Sequence, residues 1–380
     1  MALIDKLGNY IERLDRPNSD LRYGIDDVCG ITNTKQLVLG TKANLIGRTF
    51  EKFSILAPRE FIFNRRTSRN GEHISLGYNT TNREWILTED YCHFRVQKNK
   101  EDVLDPDYLY LFFLDPEFDR YARFNSWGSA TEFFNWEEII ETPVPILPIE
   151  EQRKIVSDYQ IITKRIKLLQ IINEKLTDAG TYLFNSFFIN NKDQYTNVSL
   201  YDIADYINGT SFTEDEYTDT GIPIIKIAEL KDGITTATQY FTGRKEDKYF
   251  IKDSDVLFSW SGNPETSIDA FIWTHGKGIL NQHTFKMVCT HGKAFTFFML
   301  KHCKPEFVKA AQGKQTTGLG HVTVQDLKRL TIPFNEEKAK DFNEKGMPFF
   351  DNIFRNLKEI NLLNDMINHL LVSLSRAKGA

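Results

Sequence analysis

A long internal repeat constrains this chain more than any other feature. Residues 116–187 and 305–374 run in step at an offset of about 188. Pro116-Glu117-Phe118 answers Pro305-Glu306-Phe307, and Trp127-Gly128-Ser129 falls where Gln315-Thr316-Thr317 falls. Ile139 lies where Leu327 lies, and Pro145 where Pro333 lies. The period is too long for a solenoid, so the repeat is a duplicated domain-plus-helix unit. Before each copy runs a stretch of about 110–120 residues, and these two stretches differ. A repeated frame carrying two different variable segments suggests a device that reads two things at a fixed separation.

Each copy ends in a heptad pattern. In alternating steps of four and three, the first reads Ile155, Tyr159, Ile162, Ile166, Leu169, Asn173, Leu176, Gly180, Leu183 and Phe187. The second reads Phe342, Gly346, Phe349, Ile353, Asn356, Ile360, Leu363, Ile367, Leu370 and Leu374. Sustained spacing of this kind marks a coiled coil. Helices of about 30–38 residues would extend roughly 45–57 Å. Neither can hide so long a seam inside a small domain, so the two are expected to pack on each other, antiparallel. Asn173 and Asn356 either fix the register of the seam or are tolerated there near water. Pro348 predicts a start or a kink in the second helix, while Pro143, Pro145 and Pro148 give the first a stiff, extended lead-in.

At 380 residues the chain fits about two to three domains. No apolar run approaches the roughly 18 residues of a membrane span, and the start lacks the pattern of a signal peptide. Cys29, Cys92, Cys289 and Cys303 show no Cys-x-x-Cys spacing, which favours reduced thiols in a cytoplasm over a disulfide frame. No metal site and no cofactor are expected. The net charge of −5 argues mildly against a simple nucleic-acid binder, but the position of charge counts for more than its sum. Arg59, Arg65, Arg66 and Arg69 form a basic cluster in an otherwise acidic chain.

The variable segments, about 1–148 and 192–335, both read as mixed α and β. Strand-like runs include Ser54–Leu56, Glu60–Phe63, Trp85–Leu87 and Cys92–Val96, then Ile222–Ile227, Asp255–Phe258 and Thr284–Val288. A short helix follows each set, at 107–114 and at 294–300. The loops after corresponding strands are polar: Asn64, Arg65, Arg66, Thr67, Ser68, Arg69 and Asn70 in the first, Ser259, Trp260, Ser261 and Asn263 in the second. A second matched pair is Ser126, Trp127 and Ser129 against Lys314, Gln315, Thr316 and Thr317, and Gln282-His283 marks a further turn. Such side chains hydrogen-bond base edges and phosphates. They also make ordinary solvated loops; matched placement in both segments favours the first reading.

These features resemble the specificity subunit of type I restriction–modification systems. The resemblance spans the whole chain, through Tyr23-Gly24-Ile25-Asp26-Asp27-Val28, Phe61-Ile62-Phe63-Asn64, Pro116–Tyr121, Ser126–Ala130 and Pro145-Ile146-Leu147-Pro148. Counterparts in the second half are Gly221-Ile222-Pro223, Gly278–His283 and Leu330-Thr331-Ile332-Pro333. Its most specific element is the proline followed by Glu151-Gln152-Arg153-Lys154-Ile155 at the head of a long helix. The second copy departs from it, with Asn335-Glu336-Glu337-Lys338 in that place.

The resemblance implies an α+β fold: two pseudo-repeated mixed α/β target-recognition domains separated by two long antiparallel coiled-coil helices. The expected boundaries are 1–148, 149–190, 191–335 and 336–380. Each domain would read half of a split, asymmetric site in double-stranded DNA. The helices, with seams Ile155, Ile162, Ile166, Leu169 and Leu176 against Ile353, Ile360, Leu363, Ile367 and Leu370, would set the spacer and dock two DNA-methyltransferase (modification) subunits. Restriction and translocase subunits would join through that methyltransferase core, and catalysis would belong to partners. In keeping with this, Asn263-Pro264-Glu265 is no amino-methyltransferase motif, and Gly313-Lys314-Gln315 is no phosphate loop. The competing reading is a coiled-coil scaffold whose two non-catalytic globular domains bind proteins.

Overall fold

The computed structural model describes residues 3–32, 34–40, 45, 47–66, 73–128, 132–190, 195–314 and 319–376. They fall into two compact units, Met1–Lys164 with Asn364–Ala380, and Arg165–Leu363. The boundary lies inside both long helices, so each helix contributes to both units. Among the described residues, no helix is long and apolar enough to cross a membrane.

Unit one is built on a four-stranded antiparallel sheet in the order Ile11–Arg13, Tyr91–Val96, Phe61–Asn64, Leu76–Tyr78. The strand Phe61–Asn64 is buried on both faces. Phe61 and Phe63 face the main core with Phe94, Phe113 and Phe118, while Ile62 faces a smaller core with Leu56, Trp85 and Leu87. That is the period-two alternation of a strand. Helices α1 (Pro106–Leu114) and α2 (Pro116–Phe124) cover the main core. Asp115 ends α1 because a residue before proline is driven to extended geometry. Its carboxylate then accepts from Glu117 N at 3.0 Å and starts α2. A short helix, α3 (Trp136–Ile140), leads into the strand Pro143–Ile146.

The first long helix, α4, runs over Ile149–Phe184. The reason for Gln152 in its first turn is plain. Fully buried, its Nε2 donates to Val103 O and Leu147 O at 2.8 and 2.7 Å, and its Oε1 accepts from Asp105 N at 2.9 Å.

Unit two repeats the frame strand for strand. Its sheet order is Asp205–Asn208, Thr284–Val288, Val256–Ser259, Asp269–Ile272. Val256 and Phe258 face the main core and Leu257 a second one. The framing strand Leu3–Lys6 pairs Leu3↔Ile146 through Lys6↔Pro143; its counterpart Thr196–Ser199 pairs Thr196↔Phe334 through Ser199↔Thr331. Helices α5 (Leu200–Ile203), α6 (Ile227–Asp232), α7 (Lys293–Gln312) and α8 (Val324–Arg329) follow, then the second long helix, α9 (Glu336–Arg376). α7 extends well past the expected 294–300, passing through Pro305. α9 likewise starts ahead of Pro348 and carries it inside, rather than starting there. Pro348 sits on an exposed face of α9. The fourth residue of α9 is Ala339, buried, where α4 has Gln152. The units differ in their outer strands: two pairs in unit one, against a four-stranded sheet with one parallel pair, Ile224↔Ile279, in unit two.

The long helices are antiparallel. In unit two Arg165 donates to both Glu359 oxygens at 2.7 and 3.1 Å, Asn356 Nδ2 donates to Asn173 Oδ1 at 2.8 Å, and Phe184 and Phe187 meet Phe342. The two seam asparagines are thus each other's partner. In unit one Ile155, Val156 and Tyr159 share a core with Ile367, Leu370, Leu371 and Leu374. Ile155, Ile162, Ile166, Leu169, Leu176, Ile353, Ile360, Leu363, Ile367 and Leu370 are all buried or half-buried. All four cysteines are free thiols, and burial pushes Cys92 up to about 11, which leaves it unreactive.

Candidate nucleic-acid interface

In unit one the chain leaves the sheet at Asn64, whose side chain accepts from Arg66 N at 3.0 Å and shapes the turn. Arg65 and Arg66 are exposed. Their backbone is not free: Phe134 N donates to Arg65 O at 2.8 Å, and Arg66 bridges Phe133. Phe133 also exchanges hydrogen bonds of 2.9 and 3.0 Å with Trp127. Two loops far apart in sequence, Asn64–Arg66 and Ser126–Trp127, therefore flank one strand-like residue. Trp127 is 72% exposed and nearby Phe124 88%, whereas Ser126 Oγ turns inward to Ala122 O. Thr67, Ser68, Arg69, Asn70 and Ser129 lie outside the described residues.

Arg59 does not belong to this cluster. It lies before the strand, not after it, and faces Glu101, Asp105 and Asp107 at 3.2–3.8 Å. The far side of the arginine loop is anchored by residues that sequence reading missed. Buried Asp119 accepts from Ile74 N at 2.9 Å, lies 3.1 Å from His73 Nδ1 and pairs with buried Lys35 at 2.7 Å. Burial holds the Lys35 ammonium below the usual lysine range, against the opposing pull of Asp119.

Unit two repeats the backbone arrangement with other side chains. Val322 N donates to Trp260 O at 2.8 Å, and Ser261–Gly262 pairs with Gly320–His321. Arg65 and Arg66 thus correspond to Trp260 and Ser261, and Phe133 to His321. Gly262 has φ +113°, and a Cβ there would strike Ser267, so only glycine serves. Ser259 is fully buried and cannot face a ligand at the surface. Asn263 Oδ1 accepts from Glu265 N and Thr266 N, both at 3.1 Å, closing its own turn. Lys314 is tied to Asp326 and Thr323. Burial raises the Asp326 carboxyl, but hydrogen bonds from Lys314 and Thr323 outweigh it and hold the group below the usual carboxylate range. Gln282 and His283 are exposed, and the His283 ring lies 5.6 Å from Trp260. Gln315, Thr316 and Thr317 lie outside the described residues. Behind this bridge opens a cavity of about 720 Å³, walled by Tyr206, Trp260, His283 and Phe285, with Asn208 and His321 among its polar lining.

Residues 192–364 match the type I restriction modification DNA specificity domain. No curated protein matches the chain. Among solved structures, the S subunit of the type-I restriction-modification system from M. genitalium is similar in fold, with 11% identity and a TM-score of 0.53 over 98% of this chain and 96% of that one. The HsdS subunit from Thermoanaerobacter tengcongensis aligns at 15% identity and a TM-score of 0.36, over 99% and 96%. A structure of complex assembly in the type I R-M system aligns at 14% identity and 0.40, over 99% and 97%. The matched family is one of DNA specificity, not of catalysis. Residues 192–364 thus match the type I restriction modification DNA specificity domain, and the chain shares the fold of the M. genitalium S subunit along its length.

Proposed function

We propose that the protein is the DNA-recognition subunit of a type I restriction–modification complex, with residues 1–148 and 191–335 each reading one half of a split, asymmetric site in double-stranded DNA. The observation that carries this reading is the matched backbone bridge. Phe134 N to Arg65 O in one unit and Val322 N to Trp260 O in the other hold equivalent positions, yet present guanidinium groups in one case and an indole with a hydroxyl in the other. A fixed backbone with exchanged side chains is what two independent readers require. Arginine can bind guanine or phosphate bidentately.

The segments 149–190 and 336–380 would set the spacer and dock two DNA-methyltransferase subunits, with restriction and translocase subunits joining through them. Leu168 of α4 and Leu362 of α9, both exposed in unit two, offer apolar side chains for docking. The spacer role is tested by inserting one heptad at matched points of α4 and α9. At 1.5 Å per residue this would move the domains apart by roughly 10 Å, or about three base pairs at 3.4 Å. Methylation mapping should return the same half-sites with a longer spacer. An unchanged spacer would reduce the helices to a dock.

A further inference from the structure

The two units share a backbone at the bridge but not a shape. In unit one the surface projects: Arg65, Arg66, Phe124 and Trp127 all stand exposed. In unit two the corresponding place opens into the 720 Å³ cavity. Strand register explains the difference. Where unit two has Trp260, Phe285 and His321, unit one has Arg65, Cys92 and Phe133. Side chains that read a stacked duplex must protrude into a groove to reach base edges. A hollow cannot do this; something must enter it.

We propose that the hollow of unit two receives a single nucleobase swung out of the DNA duplex, within the half-site that this unit reads. This rests on the DNA-recognition reading above. The walls have the chemistry for it. Phe285 is buried between Tyr206 and Trp260, at ring-centroid distances of 5.6 and 5.9 Å, and His283 extends the aromatic surface. Every base has a π face, so aromatic walls stabilise an unstacked base of any identity. Selection among bases needs hydrogen bonds, and these are placed beside the rings. Trp260 Nε1 donates to Asn208 Oδ1 at 3.2 Å, which turns the amide's amino group toward the role of donor to a base edge. His321 and Ser261 supply further polar groups. The volume lies within the roughly 300–1,000 Å³ of small-ligand sites, enough for a base with its sugar. Lys328, whose ammonium lies 4.9 Å over the Tyr201 ring beside the cavity, places positive charge near an incoming phosphate.

Mismatch scanning tests this with the native protein, so the result does not depend on a variant folding. The full-length chain, assembled with its modification subunits, is titrated with duplexes of its mapped site. In these, each base pair of both half-sites is replaced in turn by a mismatch, one strand at a time. Extrusion requires breaking a pair, and a mismatch has already broken it. One position in the half-site of unit two should therefore bind tighter, on the order of tenfold. Trp260→Ala should abolish that gain while recognition of the other half-site persists. If no mismatch in this half-site tightens binding although the intact duplex is bound specifically, the extruded base is wrong and the DNA reading stands. If no duplex is bound in a sequence-dependent way, both fall.

Discussion

The units solve the same structural problems with different residues, and the comparison separates frame from reader. The helix over the sheet shows it first. In unit one Asp115 precedes Pro116 and breaks the helix into α1 and α2, because its carboxylate can cap the second piece. In unit two Lys304 precedes Pro305 and the helix runs on. There Lys301 and Lys304 reach Asp269 at 2.7 and 2.6 Å and hold the turn leading into the proline to the sheet. The N-termini differ likewise. α1 is capped by its own Asp105, whereas α7 begins after Gly292 and is capped by Asn343 of α9, which accepts from Ala294 N and Phe295 N at 3.0 and 3.3 Å. The frame is thus kept by backbone register, which leaves side chains free to diverge. At the bridge that freedom yields a projecting cationic surface in one unit and an aromatic hollow in the other.

The largest predicted asymmetry concerns the anchor of the arginine loop. Asp119→Ala would strand the buried Lys35 ammonium and release Ile74 and His73. Breaking a buried ion pair on one side costs about 3–5 kcal/mol, and unit one alone should show the loss in urea denaturation followed by hydrogen exchange. Recognition of its half-site should fail while the other survives. Unit two closes its shorter turn locally with Asn263, so an equal loss in both units would mean that the two turns are anchored alike.

Next comes the exposed pair. Arg65→Ala and Arg66→Ala should weaken DNA binding by about 1–3 kcal/mol for each base contact removed, and only for sequence changes in one half-site. Neither residue packs in the core, so thermal stability should hold. Affinity unchanged in the assembled complex would return these arginines to the status of a solvated loop.

A smaller effect is expected at Gly180, where α4 lies against Phe298 so closely that a Cβ would overlap the ring. Alanine favours helix by about 1 kcal/mol over glycine, yet overpacking costs about 1–3 kcal/mol. Gly180→Ala should therefore destabilise unit two by a modest net amount, read as a lower urea midpoint. Stabilisation would mean that the helix stands off from α7.

Much of this was legible in the sequence because the frame is periodic. The heptads located both helices, and the apolar run Glu60–Phe63 marked a strand, though not its burial on both faces. The proline and Gln152 pattern marked the head of α4, since that glutamine has three backbone partners to satisfy. The extent of α7 was not legible, because continuity through Pro305 depends on Lys301 and Lys304 meeting Asp269, a contact between distant segments. Nor was the pairing of Asn173 with Asn356, which heptad positions alone leave in different registers. Of the candidate site, the matched polar loops were visible as composition. Burial of Ser259, diversion of Arg59 to three carboxylates, and the anchor at Asp119 all depend on tertiary neighbours.

Independent reading by two domains on one repeated frame should make each domain exchangeable by itself. Its most direct test replaces residues 1–148 with the same segment of a relative of known half-sites, keeps residues 149–380, and maps methylation by the complex assembled on the hybrid. The methylated site should take one half from the donor, while the other half and the spacer are unchanged. A hybrid that folds and assembles but alters both halves would contradict independent reading.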